Sequence, residues 1–385
     1  MKTLAIISEF NPFHNGHKYL LEEARRKTKA DIALTIMSGD YVQRGEPAII
    51  DKYKRSDSAM KADFDMVIEM PAFITLQSAE YFALGSIKIL EKLGVDYLCF
   101  GIENIDPDEF LNSVDTLIDK ADELDKLTKE NLDSSSFTKA RYDATVKILG
   151  TDKFISSNNV LALEYIRAIR KINSKMSPIP IKRISSTNKD IDLKSTKISS
   201  STAIRENILN DYRCHVPDFS YEAIESSKKF YGIPNMEYEF DLFKYLLLIN
   251  QKPMADVLAY EQGLDNYLFK TALKNDNLKD FLKESTTKRY TSSRIKRLIL
   301  NYLLDNKADF NDYDLDFYKV LAFNKKSQYI FRKSKSKPVL TKKDMDKLPA
   351  SDQFILSKML DASNMYSLGQ GQELNQDLNK KIRRY

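Results

Sequence analysis

Lys2-Thr3-Leu4-Ala5-Ile6-Ile7-Ser8 runs directly into Glu9-Phe10-Asn11-Pro12-Phe13-His14-Asn15-Gly16-His17. The first seven residues are a short apolar run of the kind that fills a strand buried on both faces. The next stretch is turn-rich, and residues 17–29 carry a helical pattern. This strand, turn and helix open a βα unit, and the alternation continues downstream. Residues 31–38, 66–69, 96–100 and 180–184 read as further strands, and residues 51–62, 78–93 and 158–171 as helices between them. Strands alternating with helices of that length predict an α/β fold with a doubly wound parallel sheet. Residues 107–154 read as a charged helical insertion, and 199–209 as a helix entered from a serine-rich turn. Beyond residue 217 long amphipathic segments rich in Leu, Lys, Asp and Tyr take over. They predict a second, mostly α-helical domain over 218–385 after a first domain over 1–217.

The 385 residues suffice for two domains, and a hydrophobic content of 42% excludes global disorder. No apolar run reaches the roughly 18–20 residues of a membrane span. The first residues lack the small-residue cleavage site of a secretory signal, so a cytoplasmic protein with no membrane partner is expected. The two cysteines, Cys99 and Cys214, and three histidines are too few and too scattered for a Cys/His zinc site or a disulfide scaffold, so no protein-held metal is expected. Cys99 lies in an apolar run and reads as a buried small hydrophobe.

The net charge of +5 is unevenly spread. Residues 288–297 and 325–343 carry five and eight Lys/Arg and no acid, which leaves −8 for the rest of the chain. Tyr290, Tyr329 and Phe331 lie among these cations. Cations interleaved with aromatics suit phosphate contacts and stacking on unpaired bases.

His14 and His17, two of the three histidines, stand three apart where the first strand meets the first helix. A helix start offers unsatisfied N–H groups and a positive dipole end to an anion. Gly16 allows close approach of the backbone, and two imidazoles can donate hydrogen bonds to phosphate oxygens as charge builds. The carboxyl edge of a parallel sheet is also where open α/β folds place ligands. Asp40, Gln43, Arg44 and Glu46 fall in the loop after the second strand, on the same edge. His215 reads as a linker residue at the domain boundary.

The segment ending His14-Asn15-Gly16-His17 resembles the H-x-G-H signature of the nucleotidyltransferase superfamily related to class I aminoacyl-tRNA synthetases, a Rossmann-like fold. The superfamily's second element, a hydroxyl-rich turn ending in Ile-Arg, is matched by Ile198-Ser199-Ser200-Ser201-Thr202-Ala203-Ile204-Arg205, one serine longer than its commonest form. Phe10 to His17, with Gln43-Arg44-Gly45-Glu46-Pro47-Ala48, Phe100-Gly101-Ile102-Glu103 and Arg289-Tyr290-Thr291-Ser292-Ser293-Arg294-Ile295, resembles more narrowly the bacterial tRNA(Met) cytidine acetate ligase family.

That resemblance implies an enzyme, a ligase that activates acetate with ATP as acetyl-adenylate and acetylates N4 of the wobble cytidine of elongator tRNA(Met). It implies a nucleotide pocket built from Ile7, Ser8, Glu9, Phe10, Asn11, Pro12, Phe13, His14, Asn15, Gly16, His17, Lys18, Tyr19 and Leu20, completed by Gly101, Asn158 and Arg183. His14 and His17 would stabilise charge at the α-phosphate, and Thr202 and Arg205 would hold the β- and γ-phosphates, with Mg2+ arriving on the ATP. Gln43, Arg44 and Glu46 are candidates for contacting acetate or the cytidine. A small-molecule adenylyltransferase would share the paired histidines without needing a basic helical domain. A noncatalytic RNA-binding protein would not need the histidine pair.

Overall fold

The computed structural model describes residues 1–132, 136–184 and 198–385. Strand β1 (Thr3–Ser8) is followed by helix α1 (Asn15–Thr28), β2 (Ile32–Ser38), α2 (Lys52–Lys61), β3 (Met66–Met70), α3 (Ala79–Lys92), β4 (Tyr97–Ile102), α4 (Ser157–Lys171) and β5 (Ser177–Lys182). The five strands pair in the order β3-β2-β1-β4-β5, all parallel. Every residue of β2 and β3 is buried, as their unbroken apolar runs require of strands covered on both faces. β5 begins three residues earlier than its apolar pattern suggests, because Pro178 and Pro180 mask it. Prolines are tolerated there because β5 pairs only with β4, at the sheet's edge.

Three helices, Pro107–Asp119, Ala121–Glu130 and Phe137–Leu149, lie beside the sheet. The expected helix over 199–209 is shorter, α5 (Ser201–Glu206), with the Ser200 hydroxyl accepting from Ala203 N–H at its start.

The later part of the chain is mainly helical, including α6 (Ser292–Leu304), but it also contributes a strand that the sequence reading missed. β6 (Phe317–Phe323) adds antiparallel to β3, and all seven of its residues are buried. Its sequence, Phe-Tyr-Lys-Val-Leu-Ala-Phe, has strand composition, but Lys319 interrupts the run and the neighbourhood is rich in Lys and Asp. Two short strands, β7 (Lys337–Val339) and β8 (Arg383–Arg384), pair with β6 and complete an eight-stranded sheet.

The hydrophobic cores follow the same pattern. The largest cluster joins β1–β4 to residues 310–359, whereas a second gathers residues 236–304 around Tyr41 and Leu76. No helix among the described residues is long and apolar enough to cross a membrane.

Candidate active site

His14 is the N-cap of α1, in extended conformation. Its Nδ1 accepts from Gly16 N–H at 3.0 Å, while His17 Nδ1 accepts from His14 N–H at 3.2 Å. A side chain at residue 16 would bring its Cβ to 2.9 Å from His14 Cε1, so the cap needs glycine. The two rings stack at 3.7 Å between centroids, and the Phe10 ring meets His17 edge-on at 4.9 Å.

An Nδ1 that accepts a backbone hydrogen bond carries no proton, so each neutral ring holds its proton on Nε2. Burial, then His17, Arg183, Arg205 and His215, push His14 well below the ordinary imidazole range. Burial and Arg183 lower His17 to about 3. The site therefore presents two neutral N–H donors rather than two cations. As pH falls from the ordinary imidazole range, the unfolded chain takes up protons that the folded site resists, so acid weakens the fold. At neutral pH both states are neutral and the pair is silent. We expect imidazole nitrogen NMR to show both rings as the Nε2–H tautomer down to pH 5. Titration of either near pH 6.5 would contradict this geometry.

The structure brings the other sequence-predicted residues to this edge. Asn11 accepts from Ile49 N–H through Oδ1 and from Arg205 Nη1 through its carbonyl, each at 2.8 Å. Arg205 also reaches Thr202 Oγ1 at 3.5 Å and lies 3.9 Å from Glu46. Ile198 approaches the space over Gly16, which sets the serine turn against the histidine loop. Asn158 and Arg183 converge on Glu103, which accepts from Asn158 Nδ2 at 2.5 Å and lies 3.4 Å from Arg183. A Cβ at Gly101 would come within 3.0 Å of Arg183 Cγ.

Within the first segment the placements differ. Ser8 Oγ bonds Thr35 Oγ1 at 2.8 Å inside the sheet. Ile7, Tyr19 and Leu20 pack against the cores, Phe13 and Pro12 are buried, and Lys18 is exposed. Asn15 Nδ2 donates to Cys214 O at 2.9 Å, tying α1 to the turn at residues 213–215. His215 is therefore no linker: it is buried, and its Nδ1 lies 3.0 Å from Ser199 Oγ. Its position two residues before Pro217, at the expected boundary, disguised this role.

Sequence reasoning also missed the buried polar frame beneath the loops. Arg55, with no exposed surface, donates to the carbonyls of Ile50, Glu9, Ser38 and Gly39, fixing the chain where it leaves β1 and β2. Lys52 meets Glu69 at 2.8 Å, Asp377 at 2.9 Å and Asp40 at 3.6 Å, and Lys319 meets Glu69 and Asp377. Burial opposes ionisation of Asp377, but Lys319 and Lys52 hold its carboxyl well below the usual range.

A hairpin, Tyr41–Val42 against Glu46–Pro47, follows β2 and joins the site to the helical part. Tyr41 donates to Glu239 at 2.8 Å, Lys296 pairs with Glu46 at 2.8 Å, and Arg297 donates to Gln43 O at 3.2 Å. Gly45 has φ +76°, and a Cβ there would lie 2.5 Å from Arg297 N. Gly45→Ala should therefore cost about 1–3 kcal/mol through left-handed strain, with the backbone clash adding to it. An unchanged denaturation midpoint would contradict this docking.

The two basic segments separate. Residues 288–297 adjoin the hairpin at the carboxyl edge. Lys326 and Lys333 instead approach Asp65 and Asp96, which precede β3 and β4 at the opposite edge. At about 3.3 Å per residue, a six-residue strand sets those edges about 17 Å apart. Among the described residues no group of three or more His, Cys, Asp or Glu gathers as a metal site.

Five parallel strands in this order, with paired histidines capping the first helix, define a nucleotidyl transferase. Residues 1–381 match the family model described as HIGH Nucleotidyl Transferase. A tRNA(Met) cytidine acetate ligase of Thermoanaerobacter sp. (strain X514) is 37% identical, covering 96% of this chain and 95% of its own. Another, from Thermosipho melanesiensis, is 36% identical over 96% and 94%. The crystal structure of apo Thermotoga maritima TmcAL superposes with a TM-score of 0.88 at 29% identity, covering both chains completely. The same protein bound to alpha-thio ATP gives 0.85, covering 100% of this chain and 99% of that one. This chain belongs to the tRNA(Met) cytidine acetate ligase family of HIGH nucleotidyl transferases.

Proposed function

We propose that the chain uses ATP to activate acetate as acetyl-adenylate and then acetylates N4 of the wobble cytidine of elongator tRNA(Met). The observation that carries this reading is the locked histidine pair. Both Nδ1 atoms are engaged by backbone N–H groups, which leaves two Nε2–H donors side by side at a helix N-terminus.

In the first step an acetate oxygen bonds to the α-phosphorus, the bond to the β-phosphate oxygen breaks, and pyrophosphate leaves with the electron pair. Negative charge grows on oxygens that His14 and His17 can reach as neutral donors. Arg183, close enough to depress both imidazoles, adds fixed positive charge. Arg205 anchors Asn11 through Nη1 and retains Nη2, beside Thr202, for the β- and γ-phosphates. Positioning and electrostatics supply the catalysis, and no covalent enzyme intermediate forms.

Magnesium enters with the nucleotide's own phosphates, since the described residues offer no carboxylate cage for it. We assign tRNA holding to the helical part of 218–385 that carries the cationic segment at the hairpin, after a catalytic unit of 1–217 whose sheet also takes in β6 (Phe317–Phe323). A tRNA substrate places the enzyme in the cytoplasm.

The first half-reaction can be tested alone. ATP–pyrophosphate exchange should require acetate and proceed without tRNA. Exchange driven instead by a phosphorylated cofactor precursor, with no response to acetate, would favour a small-molecule adenylyltransferase and overturn the proposal.

A further inference from the structure

We propose that Glu9 is the proton acceptor of the second half-reaction, taking the proton from the cytidine N4 amine as that nitrogen attacks the acetyl carbon. This rests on the ligase reading above. The chemistry requires such a group. The exocyclic amine is a weak nucleophile, and the nitrogen becomes cationic as its bond to the acetyl carbon forms. Collapse of the tetrahedral intermediate breaks the bond between the acetyl carbon and the phosphate oxygen, and AMP leaves with that pair. Transfer of one amine proton to the Glu9 carboxylate balances the step.

Glu9 stands between the two loops that must meet for this reaction. It directly follows β1 and begins the histidine loop, and its Oε1 accepts from Gln43 N–H of the hairpin loop at 2.7 Å. Buried Arg55 holds its carbonyl at 2.7 Å, so both backbone and side chain are fixed. Oε2 makes no hydrogen bond with any described residue, and the side chain is only partly buried, so it remains accessible to an incoming base.

The other carboxylates at this edge are engaged. Glu46 is paired with Lys296 and faces Arg205. Glu103 holds Asn158 and Arg183. Asp40 and Glu69 are buried with Lys52, and Asp51 caps α2.

The groups facing Glu9 are Arg44, Glu46, Arg55, Tyr165 and Arg205. Burial raises its carboxyl above the usual value against the pull of the Gln43 N–H, Arg205 and Arg44, with Glu46 adding to the rise. A raised carboxyl is a stronger base at neutral pH.

The test supplies preformed acetyl-adenylate to wild type and Glu9→Gln in single turnovers. The bound intermediate is offered tRNA in one arm and hydroxylamine, a nucleophile that needs no enzymic base, in the other. Glutamine keeps an oxygen for the Gln43 N–H, and scoring the ratio of the two rates cancels any loss of adenylate binding. The ratio should fall about 10²–10⁴-fold, the usual contribution of a general base. The acidic limb of the tRNA-transfer pH profile should vanish with it, and Glu9→Asp should restore part of both. An unchanged ratio, or an acidic limb surviving in Glu9→Gln, would overturn the assignment. Failure of the wild type to acetylate tRNA would instead count against the ligase reading.

Discussion

His14→Ala and His17→Ala should each lower acetyl-adenylate formation about 10²–10³-fold, the usual cost of deleting one donor from a preorganised anion site. The expectation follows from the way the pair is held. Each ring uses Nδ1 to satisfy a backbone N–H at the start of α1, which fixes the ring and leaves Nε2–H as the donor. Alanine removes that donor and also the acceptor for one helix-terminal N–H, which adds a stability loss of about 1 kcal/mol. The catalytic and structural effects separate in acetate-dependent ATP–pyrophosphate exchange, measured on protein whose folded state is verified by circular dichroism. Affinity for tRNA should survive in both variants, because neither histidine contacts the cationic segment at the hairpin. Exchange within threefold of wild type in both would remove the histidines from the chemistry.

Lys52→Met should be the most damaging change away from the histidines. Lys52 is wholly buried and meets three carboxylates, Asp40, Glu69 and Asp377, drawn from the loop after β2, from β3 and from the C-terminal segment. Removing one partner from such a cluster strands charge where water cannot reach it, at about 3–5 kcal/mol. Among the described residues, Lys319 would be left as the only cation paired with Glu69 and Asp377. Chemical denaturation should show a loss of that size, whereas a change below about 1 kcal/mol would mean that Lys319 and water compensate.

The parts of this molecule that were readable from sequence are those where local chemistry and fold agree. β1 is an apolar run with both faces buried, and His14 is at once the cap of α1 and a member of the motif. Asn158 and Arg183, expected at element ends, begin α4 and follow β5, and both reach the carboxylate of Glu103. Gly101, expected just past a strand, instead lies inside β4. What stayed hidden depends on long-range packing. β6 carries a lysine because its partners, Glu69 and Asp377, lie 250 and 58 residues away. Arg55 and Lys52 sit in a polar helix and reveal nothing of their burial. His215 looks like a linker until Ser199 is brought beside it. The charge count drew residues 325–343 together with 288–297, yet Lys326 and Lys333 approach acids at the opposite edge of the sheet, a separation that composition cannot express.

The most direct test of the central claim is incubation of the purified chain with ATP, labelled acetate and unmodified elongator tRNA(Met), followed by nucleoside mass analysis. The account predicts ATP-dependent label in N4-acetylcytidine at the wobble position, with AMP and pyrophosphate released. Hydrolysis of ATP with no label in the tRNA would contradict it.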